Sequence, residues 1–198
     1  IPPKQVNKKQ KSPRVLFASG QYGQAIDLIN ISLKSNTDNH NLIFLKGRSQ
    51  LMLNQYEKAA STFLDALAIK IDSDYLNGLG YAYSRLKQSD KALAAYNKAI
   101  SINNKNSYAY FNSGLLLENK GNKKRAADYF YSAGTSSLLN KDFLKANNSH
   151  DALQRLSKGE SVILEKSDKL GSLIKELTDD KDNDFKIIKV NTKGDKNG

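Results

Sequence analysis

Residues 75–106 read YLNGLGYAYSRLKQSDKALAAYNKAISINNKN, and this stretch decides the fold. Small and bulky apolar residues recur in it three or four positions apart, which is the spacing of one face of an α-helix. They are Leu76, Leu79, Gly80 and Tyr83 in the first half and Ala92, Tyr96 and Ala99 in the second. Lys87, Gln88 and Ser89 separate the two halves. The stretch therefore predicts two antiparallel helices joined by a short turn.

The smallest of these side chains set how closely the two helices can approach. Gly80 and Ala92 provide clearance, one on each helix, and Ala99 provides it where the second helix meets the next unit. Larger residues such as Tyr83 and Tyr96 fill the remaining space. A single helix pair cannot bury its apolar face alone, so several copies must stack.

The same pattern recurs along the chain at nearly constant intervals. One second-helix position is held by Ala25, Ala59, Ala92 and Ala126, at intervals of 34, 33 and 34 residues. The small first-helix position is held by Gly47, Gly80 and Gly114. The shorter interval places a one-residue deletion in the turn at 71–73. Small residues keep the same relative positions in successive copies. This regularity predicts a protein built of repeats.

The spacing matches a known helix-turn-helix repeat of about 34 residues, whose pattern is W-x2-L-G-x2-Y followed by A-x3-F. Leu76 stands at the Trp position and Tyr96 at the Phe position. Residues 12–140 thus resemble the tetratricopeptide repeat (TPR) family. The resemblance implies an all-α, right-handed superhelical solenoid of antiparallel helix pairs. The Pro usual near the end of the second helix is missing, since all three prolines precede residue 14, so the helix boundaries are less sharply defined than the fold.

The chain divides into three predicted parts. Residues 1–11 form a basic linker, residues 12–158 the solenoid, and residues 159–198 a C-terminal appendage with a flexible tail. The units of the solenoid are repeats at 12–39, 40–72, 73–106 and 107–140 and a cap at 141–158. The first residue is not Met. Either removal of an export signal or a fragment boundary would explain this, and the polar linker favours export to the cell envelope over a cytoplasmic location.

The C-terminal part leaves two architectures open. The Asn147-Asn148 pair predicts a break within the cap. Further on, residues 162–164 favour a strand, Ser167 favours the cap of a helix, and residues 185–190 favour a second strand. This order would give a small strand-helix-strand appendage. The alternative is an extra cap helix with disordered flanks.

The residues that usually carry chemistry argue against an enzyme. The chain has no cysteine, which excludes disulfides, thiolate metal sites and Cys nucleophiles. Its two histidines, His40 and His150, lie 110 residues apart in the sequence. No metal-binding, nucleotide-binding or Ser-hydrolase motif occurs. The acidic residues 179–184 lack the glycine and the final Glu of an EF-hand. We expect no enzymatic activity, no metal and no cofactor.

The charge balance bears on the choice of partner. The formal net charge is +11, of which residues 1–40 carry +4, residues 41–140 carry +6 and residues 141–198 carry +1. Such an excess favours an acidic protein, nucleic acid or an anionic surface as partner, while the simpler interpretation is a lysine-rich solvated surface. No apolar run approaches the roughly 18 residues that a membrane helix needs.

The family resemblance indicates where a partner would bind. In TPR proteins the first helices line a concave groove that holds a segment of another protein. The matching residues here are Phe44, Arg48, Leu51, Asn77, Tyr81, Arg85, Tyr108, Phe111 and Leu115. The clamp that some TPRs use for a C-terminal carboxylate is missing, because Phe44, Tyr81 and Leu115 occupy its places. Aromatic rings and two arginines instead favour an acidic-aliphatic segment, extended or as an amphipathic helix.

Three alternatives remain open beside this hypothesis. Some of the groove rings could pack against the protein's own cap or tail. A basic solenoid with ten tyrosines could bind RNA, although its lysines are scattered and 123–125 is the only dense cluster outside the linker. Self-association into a homo-oligomer through the terminal repeats or the tail is the third. We predict a non-enzymatic scaffold or assembly factor that holds another protein.

Overall fold

A computed structural model describes residues 12–179, which form a stack of helix pairs. Ten helices and no strand occur in this range, so the all-α prediction is confirmed. The helices are α1 (Pro13–Ala18), α2 (Tyr22–Leu33), α3 (His40–Met52), α4 (Tyr56–Ile69), α5 (Ser73–Arg85), α6 (Ser89–Ile102), α7 (Ser107–Asn119), α8 (Lys123–Leu139), α9 (Phe143–Leu156) and α10 (Ser161–Asp179). The predicted linker at 1–11 and the strand predicted at 185–190 lie outside the described residues.

A polar side chain caps the N-terminus of the first helix of each pair. Ser12 caps α1, since the Val15 amide donates to its hydroxyl at 3.4 Å, and Pro13 occupies the first turn. The other first helices begin in the same way. Their capping residues are Asn39, Asp72, Asn106 and Asp142, each of which accepts a hydrogen bond from a backbone amide in the first turn.

The turn inside each pair contains one residue with a left-handed backbone. Gly20, Gly121 and Gly159 have φ of 76°, 78° and 80°, and Asn54 and Lys87 have φ of 57° and 59°. Glycine adopts this conformation at little steric cost, and asparagine more readily than most residues. The chain thus reverses within a few residues, which holds the two helices of a pair antiparallel.

The small positions of the first helices lie where two helices cross closely. A Cβ at any of them would lie within 2.7 Å of a ring carbon on the second helix of the same pair. The pairs are Gly47 with Phe63, Gly80 with Tyr96 and Gly114 with Phe130. All three rings are at most 1% exposed. The predicted role of the small residues in helix pairing is confirmed.

A second set of glycines brings successive pairs together. Gly78 also lies against Phe63, and a Cβ there would lie 2.7 Å from the ring. The Phe63 ring is therefore in close contact with a glycine of its own pair and a glycine of the next. Gly134 on α8 provides the same clearance for Leu170 on α10. Neither Gly78 nor Gly134 belongs to the small position that repeats along the first helices.

The break predicted in the cap does not form, because α9 continues through the Asn147-Asn148 pair. Both asparagine side chains are exposed, while Ala146, Ser149 and Ala152 are buried on the opposite face of the helix. Burial of that face offsets the modest helix propensity of asparagine.

The predicted strand at 162–164 is wrong, since these residues form the first turn of α10. Ser167, the predicted helix cap, is fully buried within α10. One stripe of the helix is buried, consisting of Ile163, Ser167, Leu170, Ile174 and Leu177. This stripe packs on α8 and α9, so the stack continues beyond residue 158 and ends in the extra cap helix. Within 12–179 no helix has both the length and the apolar character needed to cross a bilayer.

Candidate protein-binding face

The first helices α3, α5, α7 and α9 form one surface, which we call the first-helix face. Polar side chains join each of these helices to the next. The Tyr75 hydroxyl donates to Asn41 Oδ1 at 3.3 Å, and Asn112 Nδ2 donates to Asn77 Oδ1 at 3.0 Å. The partners lie 34 and 35 residues apart in the chain. Nearly equivalent positions of successive repeats, one residue apart in register, therefore lie side by side on this face.

An ion pair joins α7 to α9. Arg155 Nε donates to Glu118 Oε1 at 3.0 Å, and a terminal nitrogen of the same guanidinium donates to Oε2 at 2.8 Å. This bidentate geometry suits a guanidinium and a carboxylate. The hydrogen bond to Glu118 raises the pKa of Arg155. The C-terminal half of the face thus carries an arginine whose charge is already neutralised by a partner.

Arg48 lies in the N-terminal half of the face and is exposed. Its guanidinium carbon lies 4.7 Å from the centroid of the Phe17 ring and 5.8 Å from that of Phe44. Contacts of this kind orient a cation without neutralising it. No carboxylate among the described residues forms a salt bridge with Arg48.

Arg85, on the neighbouring helix α5, is held in a similar way. Its guanidinium carbon lies 4.9 Å from the centroid of the Tyr56 ring, and one terminal nitrogen donates to the Tyr81 hydroxyl at 3.4 Å. That hydrogen bond raises the pKa of Arg85. The side chain is exposed and makes no salt bridge within residues 12–179. Two cations on adjacent helices are therefore oriented by aromatic rings and form no salt bridge, although the charge of Arg48 partly offsets the rise that burial causes in the pKa of Asp74 on α5.

The aromatic candidates Phe44 and Phe111 are half-buried. The Phe44 ring stacks on Tyr75 with centroids 4.5 Å apart, and the Phe111 ring lies 5.3 Å from that of Phe130. Leu51 and Leu115 are also half-buried and pack against the core of their own repeats. All four form the floor of the face. The core that Phe111 and Leu115 pack against extends into α9 and α10.

The most exposed apolar residues of the C-terminal half are Tyr108 and Leu144, at 53% and 74% exposure. The Lys145 ammonium lies 4.4 Å from the centroid of the Tyr108 ring. Tyr108 was predicted to lie on the face. Leu144 and Arg155 were not, because residues 141–158 were expected to form the cap. One feature of the sequence indicates that α9 repeats α7. A serine occupies the same place in both helices, Ser113 in α7 and Ser149 in α9, and both are buried.

A polar cavity of about 180 Å³ opens beside Tyr108. Asn106 Nδ2 donates to Asp74 Oδ1 at 3.1 Å in its wall, and burial raises the pKa of Asp74. A hydrogen bond from Lys145 to Asp142 lowers the pKa of that carboxyl. These groups are engaged with one another and join α5, α7 and α9. Among the described residues, no three His, Cys, Asp or Glu side chains are grouped so as to hold a metal.

Three family models match successive parts of this stack, and each is described as a tetratricopeptide repeat. They cover residues 14–75, 73–106 and 107–133. Together they span α1 to α6 and all of α7, and reach into α8. The matches therefore include three of the four first helices that form the first-helix face.

The chain is also similar to known TPR proteins in sequence and in structure. The TPR repeat-containing protein MJ1428 of Methanocaldococcus jannaschii is 28% identical over 115 residues, which are 58% of this chain and 20% of that protein. The chain thus spans about a fifth of that relative. A crystal structure of MamA superimposes with a TM-score of 0.62 at 14% identity, covering 84% of this chain and 98% of the other. The structure of YrrB gives 0.53 at 21%, covering 77% and 87%. The chain belongs to the tetratricopeptide repeat family.

Proposed function

We propose that this chain is a non-enzymatic scaffold that holds a segment of another protein on the first-helix face. The repeat family supports a role in protein–protein interaction. The segment that fits the face combines acidic and aliphatic residues. Its acidic residues lie against α3 and α5, and its aliphatic residues lie against α7 and α9.

The observation that carries the proposal is the state of Arg48 and Arg85. Both guanidiniums are exposed and oriented by aromatic rings, and neither forms a salt bridge in the described part of the chain. The charge of Arg48 acts only at longer range on Asp74, where it partly offsets the rise in pKa that burial causes. Arg155, on the same face, is paired with Glu118. A ligand carboxylate would thus gain a bidentate partner in the N-terminal half and none in the C-terminal half.

The apolar part of the ligand is argued from exposure. Tyr108 and Leu144 project from the C-terminal half, and the half-buried Phe111 and Leu115 form the floor between the helices. Aromatic and aliphatic anchors of this kind supply most of the binding energy in protein interfaces. YrrB is described as a TPR protein with an unusual peptide-binding site, and peptide binding by a protein of the same fold supports the proposal.

RNA binding receives less support from the exposed residues. Tyr108 is the only aromatic residue among 12–179 that is prominently exposed. Proteins that bind single-stranded RNA without a sequence motif use several exposed rings as stacking platforms. We therefore keep protein binding as the proposed function.

Selection of peptides from a displayed random library against the full chain tests this function. We expect enrichment of sequences in which Asp or Glu precedes or follows a cluster of Leu, Ile or Phe. The double variant Arg48→Gln/Arg85→Gln should lose these peptides, because it removes both unpaired cations. Phe44 and Phe111 are poor test sites, since their rings pack in the core and their removal would destabilise the fold.

The matched control is Lys34→Gln/Lys98→Gln, which removes two exposed cations outside the first-helix face, one directly after α2 and one on α6. It should bind the selected peptides as the parent chain does. Circular dichroism would verify that both variants keep their helicity. Selected peptides without acidic residues, or equal binding by both double variants, would reject the first-helix face as the site.

A further inference from the structure

We propose that a second surface, separate from the first-helix face, binds an acidic polypeptide. This surface, the turn edge, consists of the turns inside the last four pairs, at 53–55, 86–88, 120–122 and 157–160, together with the first three residues of the helix after each turn. The proposal rests on the charge of this edge and does not depend on the first-helix face binding a ligand.

The turn edge carries a large excess of positive charge. Its eight cations are Lys58, Lys87, Lys91, Lys120, Lys123, Lys124, Arg125 and Lys158, and all are exposed. Its three carboxylates are Glu57, Asp90 and Glu160. The opposite edge consists of the turns between pairs, at 34–39, 70–72, 103–106 and 140–142, with the first three residues of the helix after each turn. It carries five cations and four carboxylates. The excess is therefore specific to one edge.

The cations of the turn edge are in register. Lys58, Lys91 and Arg125 each directly precede one of the buried alanines that repeat along the chain. Contacts between neighbouring pairs bring the repeats of this edge together. Lys120 Nζ lies 2.6 Å from Asp90 Oδ1, which joins the turn of one pair to the next. The result is a row of cations that continues over successive repeats.

The cations in the first turn of α8 destabilise the helix. The first turn of α8 contains Lys123, Lys124 and Arg125 and no carboxylate, whereas α4 and α6 have Glu57 and Asp90 there. The N-terminus of a helix carries partial positive charge, so cations at this place are unfavourable. Folding does not explain them, but attraction of an anionic partner does.

The space in front of these cations is open to a partner. A cavity of about 480 Å³ lies between the turn at 120–122 and the start of α10. Lys120, Lys123 and Lys124 line it together with Glu160. Only Lys120 of these three lysines forms a salt bridge within the described residues, with Asp90.

The chemistry of the edge favours a polypeptide over a nucleic acid. No exposed aromatic ring lies among its described residues, and Tyr56 is half-buried beneath Arg85, so bases would find no ring on which to stack. Seven of the eight cations are lysines, whose flexible point charges suit carboxylates at irregular spacing. We therefore assign the edge to an Asp- and Glu-rich extended segment.

Fluorescence anisotropy with a labelled polyglutamate peptide tests the assignment on the full chain. The edge variant Lys123→Glu/Lys124→Glu/Arg125→Glu is compared with Lys34→Glu/Lys98→Glu/Lys175→Glu, which makes the same change in net charge at exposed positions elsewhere. At low ionic strength we expect the edge variant to weaken binding by at least about tenfold and the control by about twofold or less. Carboxylates at the start of α8 favour the helix, so the edge variant should remain folded.

Three outcomes would overturn the assignment. Equal weakening by the two triple variants would show that only net charge attracts the peptide. Tighter binding of poly(U) or of phosphatidylserine vesicles than of polyglutamate, at the same ionic strength, would assign the edge to nucleic acid or to a membrane surface. Loss of polyglutamate binding in Arg48→Gln/Arg85→Gln, with the edge variant unaffected, would place the acidic segment on the first-helix face.

Discussion

Replacing Gly80 with alanine tests the close helix crossing that sets the spacing of the repeats. In an open helix this change stabilises by about 1 kcal/mol, because glycine loses more backbone entropy on folding. In α5 the new Cβ would lie 2.6 Å from both Cδ1 and Cε1 of Tyr96 and 3.2 Å from the carbonyl oxygen of Ala92. Tyr96 is 1% exposed, so its ring has no free space into which it can move.

The magnitude follows from two opposing effects. An extra methyl group in a well-packed core costs about 1–3 kcal/mol, and contact with two ring carbons and a carbonyl oxygen puts this case at the upper end. After subtraction of the intrinsic gain, we expect Gly80→Ala to lower the free energy of unfolding by about 2 kcal/mol. Gly23→Ala in α2 is the control, since a Cβ there meets nothing within 4 Å. It should raise the free energy of unfolding by up to about 1 kcal/mol.

Urea unfolding followed by circular dichroism measures both effects on the full chain. A double-mutant cycle with Tyr96→Leu locates the cause of the loss. Because leucine leaves room for the new Cβ, Gly80→Ala should cost less in the Tyr96→Leu background than in the parent chain. Equal stabilisation by Gly80→Ala and Gly23→Ala would refute the close crossing.

Three further predictions follow from buried and charged groups. Gln50→Leu should raise the free energy of unfolding by about 1–2 kcal/mol, because Gln50 is 5% exposed and its Oε1 has no hydrogen-bond partner in the described structure; unchanged or lower stability in urea would contradict this. The pKa of Asp142 is lowered by a hydrogen bond from Lys145. The contribution of the Asp142 charge to stability is therefore complete above about pH 5 and is lost as the pH falls through the lowered pKa. Asp142→Asn, which keeps the capping oxygen, should therefore lose less stability than the parent between about pH 5 and pH 2, and parallel curves would count against it. Lys123→Glu/Lys124→Glu should raise the free energy of unfolding by about 0.3–1 kcal/mol per residue, and a fall in the urea midpoint would show that the cations at the start of α8 stabilise the fold.

The repeated part of the fold could be predicted from sequence because its cause is local and periodic. The spacing of the small residues predicted which helices pair, and the ring of Tyr96 lies against Gly80 as expected. The rings of Phe63 and Phe130 occupy the same place against Gly47 and Gly114. Gly78 was not predicted to matter. Its contact with Phe63 crosses from one repeat to the next, and no pattern within a single repeat indicates that contact.

The C-terminal helices could not be predicted in the same way, because packing between helices decided their extent. The Asn147-Asn148 pair has poor helix propensity but lies on the exposed side of α9. Ile163 belongs to a short β-favouring run, yet it joins a buried stripe that continues to Leu177. A stripe of this length becomes decisive only once α8 and α9 are present to cover it.

The candidate face was predicted by position but not by exposure. The family pattern placed Phe44 and Phe111 on the first helices, where they are half-buried against other rings. It also predicted Arg48 and Arg85, but not that aromatic rings orient both guanidiniums. Phe17 and Tyr56 supply those rings from other helices, and sequence spacing alone does not reveal such contacts.

The most direct test of the account is a nuclear Overhauser measurement on the full chain. If small residues mark the helix crossings, the α-protons of Gly47, Gly80 and Gly114 lie against buried rings. We predict cross-peaks from these protons to the ring protons of Phe63, Tyr96 and Phe130, respectively, and upfield ring-current shifts of the glycine signals. Glycine α-protons at random-coil shifts, with no cross-peak to those rings, would contradict the central claim.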